Sequence, residues 1–469
     1  EPQAWNAWRD FREPVEALEL FSGGRALYEN LQLERGLPTS ADAEPTVALD
    51  SLEGLTVRAI DWKPLLSKAE TKLDALAALV PADQHALFFP SFSSFVSVLA
   101  EAERLGSFGL SAFEERSSDA QTKQRYERQL GLELSQLART FGPLVVESVA
   151  LTGSDPYLRS GSTLALLFRS KTPEVVSAYV AARQAAAAGE HRQGTLAGVE
   201  WRGVANPTRS ISSYVATVQG VVVVTNALSE LERVVRTANG ETPALGASDE
   251  FRFFRQRYAL GAPDESALLV LSDAAIRRWC SPRWRIGGAR VVRAAAELSE
   301  EHAAQLDVLA GGSIAPKDLG FDKAFPQLGA LRLTPEGVHS AAFGTLDFLT
   351  PIAELAMDKV SEREAALYRT WKEGYEQAWS NFFDPIGCSL SVGEKETALD
   401  LTVRPLILGT EYDWLRKVTS GAGLAEGSGD PHPEALVQFV LALDPEWEEL
   451  KSIGTTLGSA GEKLGVDPL

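Results

Sequence analysis

The chain has 469 residues, and its 64 acidic residues outnumber its 45 basic ones, which gives a net charge of -19 at pH 7. This balance argues against broad binding to DNA or RNA and against docking on anionic lipid, because phosphate contacts need a dense basic surface. Hydrophobic residues make up 45% of the chain, which is typical of a globular protein with more than one core. No stretch approaches the ~20 apolar residues of a membrane-spanning helix.

Residues 1–78 are expected to form a mixed, mainly helical N-terminal segment. Trp5, Trp8 and Phe11 recur at helical spacing, and we expect them to pack in a core. Residues 36–48 have the composition of a loop, whereas residues 63–79 have the apolar spacing of a helix. The chain begins at Glu1 without an apolar signal segment, which favours a processed protein of the periplasm or cell surface over a trimmed chain.

One pattern occurs three times along the chain. A proline, an acidic residue and an alanine precede a short apolar strand, which a polar cap and a helix follow. The copies begin at Pro81, Pro263 and Pro433, and their alanines at 86, 267 and 435 are 181 and 168 residues apart. These spacings predict a duplicated unit of domain size.

The fold class that follows is α+β. We expect two related units, 79–260 and 261–430, in each of which helices pack on one face of an antiparallel sheet. Residues 431–469 would begin a third βα piece or complete the sheet of an earlier unit. In the second unit, residues 351–383 have the pattern of one long helix, which Gly374 is expected to bend.

The remaining elements follow from turn and cap signals. In the first unit we predict strands at 145–152 and 162–168, a helix from Thr172 to Gly189, and an antiparallel meander of 198–204, 210–218 and 221–225. Asn226 is expected to cap the next helix. In the second unit, hairpins are predicted for 328–333 with 338–343 and for 388–392 with 397–403, around the turn signals at residues 334–337 and 393–395.

Motifs for known chemistry are missing from the sequence. None of the five histidines has metal-ligand spacing to another, and Gly287 and Gly288 lack the lysine of a nucleotide-binding loop. No Gly-x-Ser-x-Gly elbow is present. The sequence therefore predicts neither a metal site nor a cofactor, and no catalytic residue.

Two cysteines, Cys280 and Cys388, are present. That number excludes an all-cysteine zinc site and a disulfide-dense scaffold. The pair could form one disulfide in an oxidising compartment, or could remain two free buried thiols.

Arginines are concentrated in one segment and alternate with two tryptophans. The segment contains Arg277, Arg278, Trp279, Arg283, Trp284, Arg285, Arg290 and Arg293. Guanidinium groups bind carboxylates and phosphates, and indoles stack on guanidinium groups or on sugars, so this segment is a candidate site for an anion or a partner. The alternative is that these arginines pair internally with the abundant acidic residues, among them Glu297, Glu300 and Glu301.

The repeated rhythm of strands and helices, best seen in 81–89, 221–240 and 263–273, resembles that of a family of uncharacterised bacterial envelope-associated proteins, domain-of-unknown-function family 3352. The resemblance covers roughly residues 79–450. It implies an extracytoplasmic, often anchored protein, and it supplies no catalytic residue.

Three functions are compatible with these observations. The preferred one is a non-catalytic extracytoplasmic binding or scaffold protein, whose partner is another protein or a component of the cell envelope. The second is a hydrolase whose acidic residues converge in a cleft between the two units. The third is a carrier of an apolar ligand beside Trp371, Tyr375, Trp379 and Phe382.

Overall fold

The structure, a computed structural model, describes a defined part of the chain. The described ranges are residues 45–56, 59–113, 121–133, 136–155, 158, 161–311, 328–334, 337–379, 385–394 and 396–403. All of them belong to one compact unit, Glu19–Arg404. The N-terminal aromatic residues and the predicted piece at 431–469 lie outside the described residues.

A ten-stranded antiparallel sheet is the largest element of the fold. From one edge to the other its strands, numbered by position in the chain, are β14 (Thr397–Val403), β13 (Ile386–Val392), β9 (Ala267–Leu271), β2 (His85–Phe89), β3 (Val146–Gly153), β4 (Leu164–Ser170), β8 (Val221–Thr225), β7 (Ser212–Val218), β6 (Val199–Ala205) and β5 (Glu190–Leu196). Two small antiparallel pairs join β1 (Thr46–Ala48) to β12 (Lys359–Ser361) and β10 (Leu331–Thr334) to β11 (Gly337–Ser340).

Nine α-helices are described in the same ranges. They are α1 (Phe92–Phe113), α2 (Thr122–Leu130), α3 (Gln136–Val145), α4 (Pro173–Ala185), α5 (Leu228–Ala238), α6 (Asp249–Arg257), α7 (Asp273–Trp279), α8 (Pro282–Leu309) and α9 (Glu362–Trp379). None of these helices combines the length and the apolar character that crossing a membrane would require.

The α+β class expected from the sequence is confirmed, but helices cover both faces of the sheet and not one. Successive side chains of a strand point to opposite faces. On one face, Phe88 of β2 packs in a core with Leu231 of α5 and Phe254 of α6. On the other face, Phe89 packs with Phe92 of α1. We refer to these as the α5 face and the α1 face.

The two predicted units share one sheet. Strand β2 of the first range pairs with β9 of the second through Ala86 with Val270, Leu87 with Leu269, and Phe88 with Leu268. The hairpin β13–β14 then extends the sheet beyond β9, as β3–β4 extends it beyond β2. The described residues therefore form one continuous body across position 260.

The repeated alanines lie on opposite faces of this sheet. Ala86 belongs to the core on the α5 face, whereas Ala267 belongs to the core on the α1 face. A shift of one residue moves a strand's side chains to the other face. Aligning Pro81 with Pro263 instead matches Ala86 with Leu268, which share the α5 face.

Local signals predicted several elements correctly. The meander is confirmed as β6, β7 and β8, and the two predicted hairpins are confirmed as β10–β11 and β13–β14. The turn between β7 and β8 places Gln219 and Gly220 at φ 50° and 81°. Two successive positive φ values are typical of the turn that joins twisted antiparallel strands directly.

Two predicted helices were wrong in extent. Residues 63–79 form only the short 3-10 turns Lys63–Leu65 and Ala75–Ala78, and between them the Ser67 amide donates a hydrogen bond to Gln256 on α6. The helix predicted for 351–383 begins only at Glu362. A capping box starts it there: the Glu364 amide donates to Ser361 Oγ, and the Ser361 amide donates to the Glu364 carboxylate.

A buried ion triad connects three segments beneath the α5 face. The Arg255 guanidinium on α6 donates to both carboxylate oxygens of Asp74 at 2.6 and 2.7 Å, and to Glu265 at 2.6 Å. The Arg255 side chain is fully buried. Removing one member of such a group leaves uncompensated buried charge, which costs far more than the intact group contributes.

Replacing Arg255 tests this dependence. Arg255→Met leaves Asp74 and Glu265 buried without their cation, so we expect the free energy of unfolding to fall by about 3–5 kcal/mol in urea denaturation. The matched control is Arg236→Met, which removes an exposed i,i+4 pair with Glu232 and should cost less than about 0.5 kcal/mol. Similar losses in the two variants would contradict the structural role of the triad.

Candidate functional site

The arginine- and tryptophan-rich segment forms α7 and the first turns of α8. On α7, Arg277 Nε lies 2.9 Å from the carboxylate of Asp273, and Trp279 Nε1 donates to the Ser154 carbonyl at 2.8 Å. The guanidinium of Arg278 lies over the ring of Trp284, 4.7 Å from its centroid. These contacts are all made within the protein.

The α8 part of the segment contacts different neighbours. Arg283 donates to the Leu355 carbonyl at 2.7 Å, and Arg290 forms a two-pronged ion pair with Glu364 at 2.7 Å per contact. The predicted patch therefore does not form one surface. Arg283 and Arg290 attach α8 to the segment 353–364, and the Arg290 contact with Glu364 is of the kind that the internal-pairing alternative expects.

The remaining two arginines, Arg285 and Arg293, also contact side chains of the same protein. The buried Arg285 lies over the Trp371 ring on α9, 4.4 Å from its centroid. Arg293 pairs with Glu297 at 2.7 Å, one turn along the same helix. Of the three acidic residues named as internal partners, Glu297 is the one whose ion pair is seen in the described residues.

The aromatic residues proposed as an apolar ligand site stack on one another. Trp371 lies 5.6 Å from Tyr368 and 4.9 Å from Tyr375, measured between ring centroids, and Arg285 lies over it. The side chains of Trp379 and Phe382 lie outside the described residues. The stacked rings are thus contacts within the fold, and no observation favours a carrier function.

Both cysteines are free thiols, so the disulfide alternative is not seen in the structure. Cys280 ends α7 and is 3% exposed, and Cys388 lies on β13 and is 9% exposed. The Cys280 carbonyl accepts a hydrogen bond from the Tyr368 hydroxyl at 3.0 Å. Burial raises the pKa of Cys388, which keeps this thiol protonated and unreactive.

A group of buried and half-buried titratable side chains lies at one end of the large sheet. It consists of Asp83, His85, Glu230, Arg233 and Arg278, which we term the charge cluster. The Asp83 carboxylate binds the Arg233 guanidinium directly and lies 3.8 Å from that of Arg278. One carboxylate therefore joins α5, which contains Arg233, to α7, which contains Arg278.

Antiparallel pairing explains why these residues meet. Because β2 runs antiparallel to β3 and β9, the start of β2 lies beside the ends of both neighbours. Ser272 follows β9 directly, donates to the Ala82 carbonyl at 2.6 Å, and caps α7 by accepting from the Ala275 amide at 3.0 Å. This serine fixes α7 against the turn that contains Asp83.

Glu230 is the most deeply buried carboxylate of the charge cluster, and it is hydrogen-bonded. Glu230 is 1% exposed, and one of its oxygens accepts from Gln84 Nε2 at 3.0 Å and from Thr163 Oγ1 at 2.9 Å. The Thr152 hydroxyl lies 2.9 Å from Gln84 Oε1 and 2.8 Å from the His85 carbonyl. These bonds connect β2, β3 and β4 to α5.

Asn226 has a different role from the helix cap expected. The N-cap of α5 is Ala227, and the buried Asn226 side chain accepts from the Leu164 amide at 2.8 Å. Its amide group donates to Gln129 Oε1 at 2.9 Å and to the Ser162 carbonyl at 2.8 Å. It thus fixes β4 and α2 to the end of β8.

The imidazole of His85 is neutral at pH 7. Burial and, to a smaller extent, the positive charge of Arg278 together lower the pKa of His85 to about 4. Its Nδ1 makes no hydrogen bond to any residue that the structure describes. In a nucleophilic triad this ring would face a serine or cysteine.

The buried hydroxyl groups near the charge cluster are oriented towards other acceptors. Ser154 Oγ donates to the Asp155 carboxylate at 2.7 Å, and Ser162 Oγ donates to the Asp155 carbonyl at 3.0 Å. Together with Thr163 on Glu230, these contacts leave no serine–histidine pair among the described hydroxyls of this region. The arrangement is suited to holding the strand ends together.

A second carboxylate of unusual environment lies on α6 beside α7. The buried Glu250 accepts the backbone N–H of Asp273 at 2.9 Å, at the first residue of α7. Burial raises the pKa of Glu250 to about 8; this hydrogen bond opposes the rise, and the charge of Asp273 adds to it. Near neutral pH, Glu250 is therefore largely protonated.

Within the described ranges, no three His, Cys, Asp or Glu side chains lie close enough together to hold a metal ion.

Sequence reasoning missed the charge cluster, although one signal for it was present. In the helix after Asn226, Leu228, Leu231, Val234 and Val235 form an apolar stripe. Glu230 precedes Val234 by four residues and so lies on that stripe. An acidic residue within an apolar helix face indicates a buried, hydrogen-bonded carboxylate.

Comparison of the chain with protein-family models, curated proteins and solved structures found no match. The function must therefore be argued from the geometry alone.

Protonation of His85 should destabilise the protein in acid. Between the ordinary pKa of 6.5 and the folded value of about 4, the unfolded chain binds the proton and the folded protein does not, so stability is lost as the pH falls through this window. We expect His85→Asn to remove up to about 1.4 kcal/mol per pH unit of this dependence, measured by urea denaturation between these pH values. The control His191→Asn, at an exposed ring on β5, should retain the acid loss; an unchanged slope in His85→Asn would contradict the assignment.

Glu250 should act in the opposite direction. Between the ordinary pKa of 4.5 and the folded value of about 8, the folded protein binds the proton and the unfolded chain does not, so stability is lost as the pH rises. Glu250→Gln keeps the acceptor for the Asp273 amide, and we expect its stability relative to the wild type to increase steadily across that window. Glu232→Gln, at an exposed carboxylate on α5, is the control. A constant difference between Glu250→Gln and the wild type would refute this pH linkage.

Proposed function

We propose that the protein is a non-catalytic binding or scaffold protein that works outside the cytoplasm. The proposal rests on the chemistry of the charge cluster. Its carboxylates and guanidinium groups bind one another or the strand ends, its imidazole is neutral, and the neighbouring hydroxyls donate to Asp155 and Glu230. Groups paired in this way hold α5 and α7 at the ends of the strands.

The covered sheet restricts where a partner can bind. Since helices pack on both faces, a partner of the described body would meet helix surfaces or sheet edges. Strand β5 is one such edge: no described strand pairs with its outer side, and most of its side chains are exposed. Glu190 and Arg192 on β5 form an exposed ion pair, and charged edge strands discourage nonspecific sheet extension. The partner class we propose is another protein or an envelope component, and not a nucleic acid.

The extracytoplasmic location belongs to the same proposal. It is supported by the resemblance of the strand and helix pattern to domain-of-unknown-function family 3352. The burial of both free thiols is compatible with it, because shielded cysteines tolerate an oxidising compartment.

Native mass spectrometry of the full chain, isolated from its own cells, tests the binding function. We expect a second component, a protein chain or a glycan, in a fixed stoichiometry that is the same in repeated preparations. Recovery of the bare monomer after mild isolation would overturn the proposal. The location is tested separately by cell fractionation, and recovery of the protein with cytoplasmic markers would overturn that part.

A hydrolase is the second candidate, and one observation favours it. Glu250, whose pKa burial raises to about 8, lies close to the carboxyl group of Asp273, and two carboxyl groups in unequal environments are the pairing that general acid–base hydrolysis uses. Turnover of glycoside or ester substrates by the wild type, lost in both Glu250→Gln and Asp273→Asn but kept in Glu232→Gln, would establish this candidate. An inactive wild type would eliminate it for those substrates.

A further inference from the structure

Three of the six large apolar side chains that are exposed among the described residues lie on α3 and at the start of α4. Phe141 and Leu144 on α3 are 53% and 77% exposed, and Val175 in the first turn of α4 is 53% exposed. Pro143 is exposed between the first two. We term these four residues the apolar corner. Large apolar side chains exposed together indicate a surface that contacts something other than water.

The two helices of the apolar corner meet at their ends. The Ser170 hydroxyl, just before α4, donates to the carbonyl of Val145, the last residue of α3, at 2.8 Å. The inner side of α3 is held against α1, because a Cβ atom at Gly142 would lie 2.2 Å from the Phe92 ring. Phe141 and Leu144 are therefore presented outward from a rigidly packed helix.

Basic side chains lie around the apolar corner. Arg169 near the end of β4 and Lys171 just after it have side chains that are 50% and 78% exposed, and both contact Glu147. Arg139 lies on α3. With Glu147 and Glu174 the local balance is three cations to two carboxylates, which contrasts with the net charge of -19 for the whole chain.

The size of the apolar corner decides between a protein and a membrane as its occupant. Four side chains expose at most a few hundred Å², whereas a stable protein interface covers about 800 Å² on each partner. A bilayer needs no matching surface, because single apolar side chains insert between lipids while neighbouring Lys and Arg side chains reach the phosphate headgroups. Convex apolar side chains beside cations fit that environment.

We propose that the apolar corner docks the protein on the surface of a phospholipid bilayer. The overall negative charge that argues against lipid binding by the chain as a whole is locally offset by Arg139, Arg169 and Lys171. The contact is weak and reversible, since few side chains insert and the rest of the surface is acidic. This inference is independent of the proposed binding function, because it uses neither the charge cluster nor β5.

Vesicle co-sedimentation of the full chain tests the proposal. The vesicles are of phosphatidylcholine with a minority of phosphatidylglycerol. We expect the wild type to partition onto them. The double variant Phe141→Ser with Leu144→Ser should bind at least about tenfold more weakly. The matched control is Leu399→Ser with Leu401→Ser on β14, where two leucines of similar exposure, 70% and 47%, lie far along the sheet from α3.

Each result either supports or overturns the proposal. Loss of binding in the α3 double variant but not in the β14 double variant supports it. Equal loss in both variants would indicate nonspecific adhesion and overturn it, as would a wild type that stays in the supernatant. Lys171→Glu should weaken binding to these vesicles, and an unchanged affinity would overturn the proposal, because the cations beside the apolar corner are what point to a bilayer. The melting temperature of each variant confirms that its fold is intact.

Discussion

The ladder between β2 and β9 is the constraint on which the rest of the structure depends. Three residue pairs in the middle of the sheet join strands that are about 180 residues apart in the chain. Their alternating side chains supply both cores, Phe88 and Leu268 to one face and Ala267 to the other. At the polar end of this ladder, Asp83 binds α5 and approaches α7, so the charge cluster exists only because β2 and β9 are neighbours.

Local chemistry made part of the fold predictable from sequence. The meander β6–β8 was predictable because its strands are apolar and its turns contain residues that adopt positive φ, such as Gly220. Strand β5 was missed because its residues are almost all polar or small and mostly exposed, so they show no apolar alternation. The pairing of β2 with β9 could not be predicted, because no local pattern specifies which distant edge a strand will join.

The candidate site was harder to predict than the fold for a related reason. Its five residues come from a turn, a strand and two helices, and only antiparallel register brings them together. Sequence reasoning concentrated on the local density of arginines, yet Arg278 takes part in the charge cluster while Arg283 and Arg290 pack towards the segment 353–364. A high local density of arginines therefore did not indicate which part of the fold each side chain would contact.

A continuous sheet also limits how this protein can be divided. The boundary predicted between the two units, at position 260, separates β2 from β9 along the chain. These two strands nevertheless pair with each other in one ladder. A fragment ending there would leave the inner edge of β2, with the backbone groups of Ala86 and Phe88, unpaired in water. Such a bare central edge recruits other strands and promotes aggregation. Evolution by recombination is subject to the same limit, because exchanging either half alone would require the incoming strand to reproduce both the register and the two-sided packing of the one it replaced.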